Sequence, residues 1–277
     1  MLALKSKHTM SPSRPASPGG HRRASVGPVS VTPLTSAAEV LVATGHDPFA
    51  RSCLRSPAAR GWCDDGVTAW MGVDQHEHAL YLNALGSPAA AGALVGELAG
   101  ELAPGQRVTL PRGTTARLPA WVGLDGTDWD FRWLAAPPAE QPGEDRVVVL
   151  DDDAPAITAL LARASPTASA LPGDATVWSW VGVRSADGAL LACAADTSSA
   201  TGVGHLSSIA VDPAARGQGL GRAVTAALVR RQLTTGCDLV TLGVYTSNAP
   251  GRALYDALGF ADSHRFTSGQ LQVRGRW

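Results

Sequence analysis

The sequence predicts an α/β protein: a mixed, mostly antiparallel sheet flanked by helices, preceded by a smaller α+β module. Three observations lead there. Short apolar runs alternate with amphipathic helical patterns across residues 146–277. A Pro-rich stretch, AAPPAEQPGED (135–145), sets that block apart from an earlier one, 34–134, with its own strand and helix patterns. The chain has 277 residues and is 45 % hydrophobic, enough for two ordinary domains, each with a core.

Composition removes several function classes. A formal net charge of −1 leaves no electrostatic footprint for nucleic acid. No apolar run approaches the roughly 20 residues that span a bilayer, so no membrane partner is expected. The four cysteines, Cys53, Cys63, Cys193 and Cys237, lie far apart, with no C-x-x-C pair and no clustered histidine. A metal site is therefore not expected. Cys193 and Cys237 sit in apolar runs and read as buried free thiols, which suits a cytoplasmic protein. Residues 1–33 hold Ser, Pro, Arg and Lys but no acidic residue, no amphipathic stripe and no secretory apolar core. They read as a disordered tail, and Met10 is an alternative start.

In the first module, GVTAWMGV (66–73) and HALYLNAL (78–85) read as strands. Ser87 then supplies an N-cap and Pro88 a first helical residue. Leu94, Val95, Leu98 and Leu102 recur at helical spacing, which predicts a helix over 88–103. RVTL (107–110) is a short strand stopped by Pro111. Trp62, Trp70, Trp121, Trp129 and Trp133 concentrate in this module and read as core packing rather than a ligand platform.

In the second module, Asp153 and Pro155 open a helix carrying Ile157, Leu160 and Leu161, and SPTASALPGDAT (165–176) is a loop. VWSWVGV (177–183) and ALLACAA (189–195) form a hairpin around Asp187 and Gly188. LSSIAV (206–211) is a third strand, followed by a helix from Leu220 to about Leu233 with Val224, Ala227, Leu228 and Arg231 on one stripe. DLVTLGV (238–244) is a fourth strand. Asn248 caps a short helix that ends near Gly259, and Phe260 starts a last strand pair over 265–275.

The chemistry concentrates in Arg216-Gly-Gln-Gly-Leu-Gly221, between a strand and a helix. Unpaired N–H groups at a helix start, together with the helix dipole, favour an anion. Glycine lets phosphate oxygens approach and permits positive φ. Arg216 and Arg222 add charge at the rim. No Gly-Lys-Ser/Thr follows, so this is not a Walker loop. Arg222 stands where a dinucleotide fingerprint would need its third glycine.

Arg216-x-x-Gly219-x-Gly221 resembles the acyl-CoA loop of the GNAT N-acetyltransferase superfamily. The strand end Val211-Asp212-Pro213 and the following DLVTLGVYTSNAPGRALYDALGF are similar to that family's neighbouring segments, so the resemblance covers about 146–277. It implies acetyl-CoA as co-substrate and no metal. The backbone of Ile209, Ala210 and Val211 would bond the pantetheine arm, as a ligand adds a strand to an edge. Gly217, Gln218, Gly219, Leu220, Gly221 and Arg222, with Arg216, would hold the pyrophosphate, and Asn248 would contact the cofactor as well as cap its helix. Tyr255 would protonate the leaving thiolate. Asn248 and Tyr255 are two helical turns apart and so near one face. A packing role for Tyr255 is the alternative.

Many family members carry a Glu on the fourth strand as base; this chain has none between Thr201 and Ala210. His205 at the strand start is the nearest titratable group, with Asp196 as second candidate and Ser207 and Ser208 placed to orient a water. The first module resembles a degenerate half of the same fold, as in tandem members of the family. It lacks the glycine loop, so one acyl-CoA site is expected. The implied function is acetyl transfer to a primary amine, expected to be that of a small molecule, by direct attack in a ternary complex. A non-catalytic acyl-CoA binder and a protein (lysine or N-terminal) acetyltransferase are the alternatives. A homodimer is compatible with the family.

Overall fold

The computed structural model describes residues 31–73, 80–98, 100–103, 105–150, 153–198 and 202–273. Residues 1–30, most of the expected tail, lie outside the described residues, as do His78, Ala79 and the end of the expected last strand beyond 273. Thr32 and Pro33, read as tail, instead open a strand.

The elements run β1 (Thr32–Ser36), α1 (Ala37–Ala43), α2 (Pro48–Cys53), β2 (Ala58–Asp64), β3 (Val67–Val73), β4 (Leu80–Gly86), α3 (Pro88–Leu98), β5 (Arg107–Pro111), β6 (Val122–Leu134), β7 (Val148–Val149), α4 (Ala154–Ala164), β8 (Ser179–Arg184), β9 (Leu190–Asp196), β10 (Val203–Val211), α5 (Leu220–Thr234), β11 (Leu239–Tyr245), α6 (Ala249–Ala257) and β12 (Ala261–Val273). The predicted α/β class with a mixed, mostly antiparallel sheet is what the structure has.

The strands form one sheet in the order β1-β2-β3-β4-β5-β12-β6-β11-β10-β9-β8-β7. The order has a near two-fold symmetry. Each half runs through four antiparallel strands into a parallel pair, β4 with β5 and β10 with β11. The two longest strands, β6 and β12, pair antiparallel at the centre, each beside the other half's fifth strand. The last strand pair expected over 265–275 is therefore a single strand, whose partners are β5 and β6.

Alternation explains β6. In DWDFRWL (128–134), Asp128, Asp130 and Arg132 point to one face, and Trp129, Phe131 and Trp133 to the other. The aromatic face joins Phe49, Trp70 and Phe266 in a cluster under α1 and α2. Phe49 meets Phe131 edge-on at 5.2 Å between ring centroids. The predicted core role of the tryptophans holds: Trp62 and Trp70 are buried, and Trp121, Trp129 and Trp133 pack against the clusters.

On the second half, α5 lies on one face of β8 to β11, with Leu220, Val224 and Leu228 against Val183, Ala194, Leu206 and Leu242. Its buried surface is wider than the expected stripe: Ala223, Thr225, Ala226, Val229 and Gln232 are buried, whereas Arg231 is exposed. On the opposite face α4 buries Ile157, Leu160 and Leu161 against Trp180, Cys193, Ala195 and Ala210. All four cysteines are free, and only Cys193 is fully buried; burial pushes its thiol up to about 12. Cys237, also expected buried, is half-buried. Among the described residues, no helix is long and apolar enough to cross a membrane.

Candidate active site

The site lies where β10 and β11 part. Their parallel register runs from Val203↔Leu239 to Leu206↔Leu242 and stops there. β10 then breaks register with β9 between Ser207 and Ala210, around Ser208 at φ 50°, a left-handed value rare for a side-chain-bearing residue. The bulge is stapled: the Ser208 hydroxyl donates to the Ala170 carbonyl and accepts from its N–H, both at 2.8 Å. That docks the 165–176 loop on the strand. Ser207 Oγ is 2.9 Å from Thr197 Oγ1, so protein groups engage both hydroxyls.

A cleft of about 670 Å³ fills this parting. It gathers Ile209, Ala210, Val211, Arg216, Gly217, Gly219, Leu220, Gly221, Arg222, Asn248 and Tyr255 from three elements and a loop. Gln218 and His205 are not among its lining residues. The glycines divide into two kinds. Gly217 (φ 79°) and Gly219 (φ 81°) are left-handed, and an added Cβ at either meets nothing within 4 Å. Gly219 is the N-cap of α5 and offers no side-chain cap, so the first-turn N–H groups stay available to an anion. Gly221 is helical; its added Cβ would lie 2.9 Å from Leu254 Cδ1, so glycine here lets α5 and α6 approach.

Asn248 caps α6, its Oδ1 accepting from the Gly251 N–H at 3.0 Å. Tyr255 is 7 % exposed, packs edge-on against Phe260 and still lines the cleft. Burial raises its phenol to about 12, against a smaller lowering by the Arg132 charge. Arg132 is buried on β6 and paired with Asp256 of α6. Beside it, Asp130, with a side chain only 1 % exposed, lies 2.6 Å from Arg112 Nη2 and 3.1 Å from Arg252 Nε. Sequence reading missed these charges; the strict alternation of 128–134 signals that they share one face of β6, and only the pairing of β6 with β11 brings that face under α6.

The two base candidates lie on opposite faces of the sheet. Asp196 accepts from Ser198 N–H, Ser198 Oγ and Gln232 Nε2 on the α5 side. His205, half-buried, is on the face opposite α5, in register with Thr241 and one residue from the end of the β10–β11 pairing. Its Nδ1 is 2.8 Å from Thr241 Oγ1. α2, from the first half, packs over β10 and β11 on the sheet.

A smaller hollow of about 330 Å³, lined in part by Leu85, Gly86, Pro111 and Arg112, occupies the corresponding parting of β4 and β5. It has no glycine loop. Among the described residues, no cluster of three His, Cys, Asp or Glu side chains is placed to hold a metal.

Residues 127–260 match the model of the Acetyltransferase (GNAT) family. The chain carries a GNAT acetyltransferase domain. Solved structures with the same fold match 78 to 89 % of the chain. A GNAT-family protein from Novosphingobium aromaticivorans matches with 20 % identity over 87 % of this chain and 98 % of that one, at a TM-score of 0.50. A GCN5-related N-acetyltransferase from Sphaerobacter thermophilus matches with 16 % identity over 78 % and 81 %, at 0.51. A Drosophila protein matches with 13 % identity over 89 % and 100 %, at 0.53. Against curated proteins the chain finds no significant match. The GNAT family implies acyl-CoA-dependent acetyl transfer, and the left-handed glycines, uncapped helix start and open cleft suit an elongated anionic acyl-CoA.

Proposed function

We propose that the chain is an N-acetyltransferase that moves the acetyl group of acetyl-CoA to a primary amine of a small molecule, by direct attack in a ternary complex. The observation that carries this reading is the convergence of the α5 N-terminus, the β10 edge, Asn248 and Tyr255 on one cleft. Gly217 to Arg222, with Arg216, hold the pyrophosphate on backbone N–H groups and flanking charge. Ile209, Ala210 and Val211 offer β10 backbone groups to the pantetheine amides. Asn248 fixes the start of α6 and faces the same arm. The 165–176 loop, docked on Ser208, and α2, packed over β10 and β11, border the face that carries His205, where the acceptor would sit.

The amine must be neutral to attack. His205, on the face of the sheet opposite α5, takes the amine proton directly or through water as the C–N bond forms. Tyr255, in the cluster on the α5 side, donates a hydrogen bond to the sulfur as the C–S bond breaks. Full transfer from a phenol at about 12 to a thiolate of pKa ~8.5 would cost about 5 kcal/mol. The Tyr255 hydroxyl therefore acts chiefly by hydrogen bonding to the developing thiolate, and Arg132 lowers the cost from below.

The test uses acetyl-CoA labelled in its acetyl group, incubated with purified protein and a cell extract, with Tyr255→Phe alongside. Label on a small amine, lost in the variant, is expected. Label on polypeptide would move the acceptor to protein. Saturable acetyl-CoA binding without transfer would mark a binder. Retained binding in Gly219→Trp would overturn the glycine-loop reading.

A further inference from the structure

We propose that the ion pair between Arg51 and Asp238 is a positioning device for the acceptor: it holds α2, an element of the first half, as a wall of the second half's acceptor side. The inference rests on reading the sheet face opposite α5 as the face where the amine meets the thioester. In the near two-fold order of the sheet, α2 follows β1 and α1 as the 165–176 loop follows β7 and α4. The loop docks on β10 of its own half through Ser208. α2 instead crosses to the other half and packs on β10 and β11. It lies on the face opposite α5. Phe49 meets Phe131, and Phe131 alternates along β6 with Arg132, the register partner of Leu242 in the α5 cluster.

Ties at both ends fix where α2 crosses. At its start Asp47 caps the helix, its Oδ1 accepting from the Phe49 N–H at 2.8 Å, while its Oδ2 lies 2.8 Å from His264 Nε2 on β12. His264 shares a cross-strand row with Phe131 and Gly243, one residue past Leu242, where the pairing of β11 with β10 ends. Towards the other end of α2, Arg51 Nη2 lies 2.7 Å from Asp238, the residue before β11. Between these two rows stands Thr241, opposite His205. α2 therefore spans the stretch where β10 and β11 stop pairing and the cleft opens. Its start is also anchored in the aromatic cluster, with Phe49 buried and 4.4 Å from Phe266 between ring centroids. The far tie differs: the Asp238 side chain is 71 % exposed and that of Arg51 25 %. An ion pair this open adds little to global stability, so its effect is local. It sets the end of α2 against β11, and a wall displaced by about 1 Å is enough to misplace a reactant.

The experiment compares the full chain with Arg51→Glu, with Asp238→Arg and with both changes together. Transfer is read with acetyl-CoA labelled in its acetyl group, against a dilution series of the protein-free, small-molecule fraction of a cell extract. The position of α2 is read by hydrogen exchange of the peptide 48–54. Each single change should raise the half-saturating extract concentration about fivefold and quicken exchange in 48–54 by a similar factor. KM for acetyl-CoA and the urea midpoint should stay as in the wild type. The double change restores the pair with its charges reversed and should recover both readouts. Arg51→Met, which keeps the apolar stem, serves where a reversed charge disturbs folding, with about a threefold effect. An acceptor half-saturation that none of the changes moves overturns the inference, and so does a loss shared equally by acceptor and acetyl-CoA, or one that the double change fails to recover. Absence of transfer in the wild type would instead sink the small-amine reading, and the inference with it.

Discussion

Removing one oxygen from Tyr255 separates packing from chemistry. Tyr255→Phe keeps the ring edge-on to Phe260 and keeps the apolar cluster filled. Among the described residues nothing hydrogen-bonds the hydroxyl, so stability at pH 7 should change by less than about 1 kcal/mol. The alkaline limb should differ. The phenol has a folded pKa of about 12 against an ordinary 10.0. Neutral phenol is favoured by the fold, so this contribution is complete below about 10 and lost as pH climbs through about 12. Two pH units correspond to a loss approaching about 3 kcal/mol. Urea unfolding of both proteins at pH 7, 10, 11 and 12 measures it, and the difference cancels every other titrating group. The phenylalanine variant should gain on the wild type by about 2 kcal/mol at pH 12. Its turnover should fall on the order of 10- to 100-fold, with acetyl-CoA affinity within about threefold. Parallel alkaline loss in both proteins would refute the claim that burial holds this phenol neutral.

Two further outcomes test the surroundings of the cleft. Gly221→Val brings side-chain carbon into the 2.9 Å gap at Leu254 and should cost about 1 to 3 kcal/mol in urea unfolding, with weaker acetyl-CoA binding by calorimetry as α5 and α6 are forced apart. Asp130→Ala leaves Arg112 and Arg252 without their buried carboxylate and should lower stability by about 2 kcal/mol, discounted because both arginines are partly exposed; an unchanged unfolding midpoint would contradict this.

Much of the second half was legible because its signals are local. Gly217 and Gly219 sit at a strand-to-helix turn, and a turn that needs positive φ selects glycine whatever surrounds it. Asn248 marks the start of α6 by its own side chain, and Gly259, at φ 83°, marks its end. Leu206, Val224 and Leu242 show their burial by period. Gly221 looked like its two neighbours in sequence and differs in space, because what constrains it is Leu254, a residue 33 positions away.

What sequence determined here is the class of fold, the glycine loop and the capped helix that carries Tyr255, each set by backbone preference or periodicity within a few residues. Tertiary structure alone decided which strand lies beside which. It placed β6 of the first half against β11 and so brought Arg132 and Asp130 beneath α6. It put His205 opposite Thr241 and on the other face of the sheet from Asp196. Those relations depend on strand register between residues tens of positions apart. Long-range pairing is chosen by the packing of the whole sheet, and no local pattern in the chain encodes it.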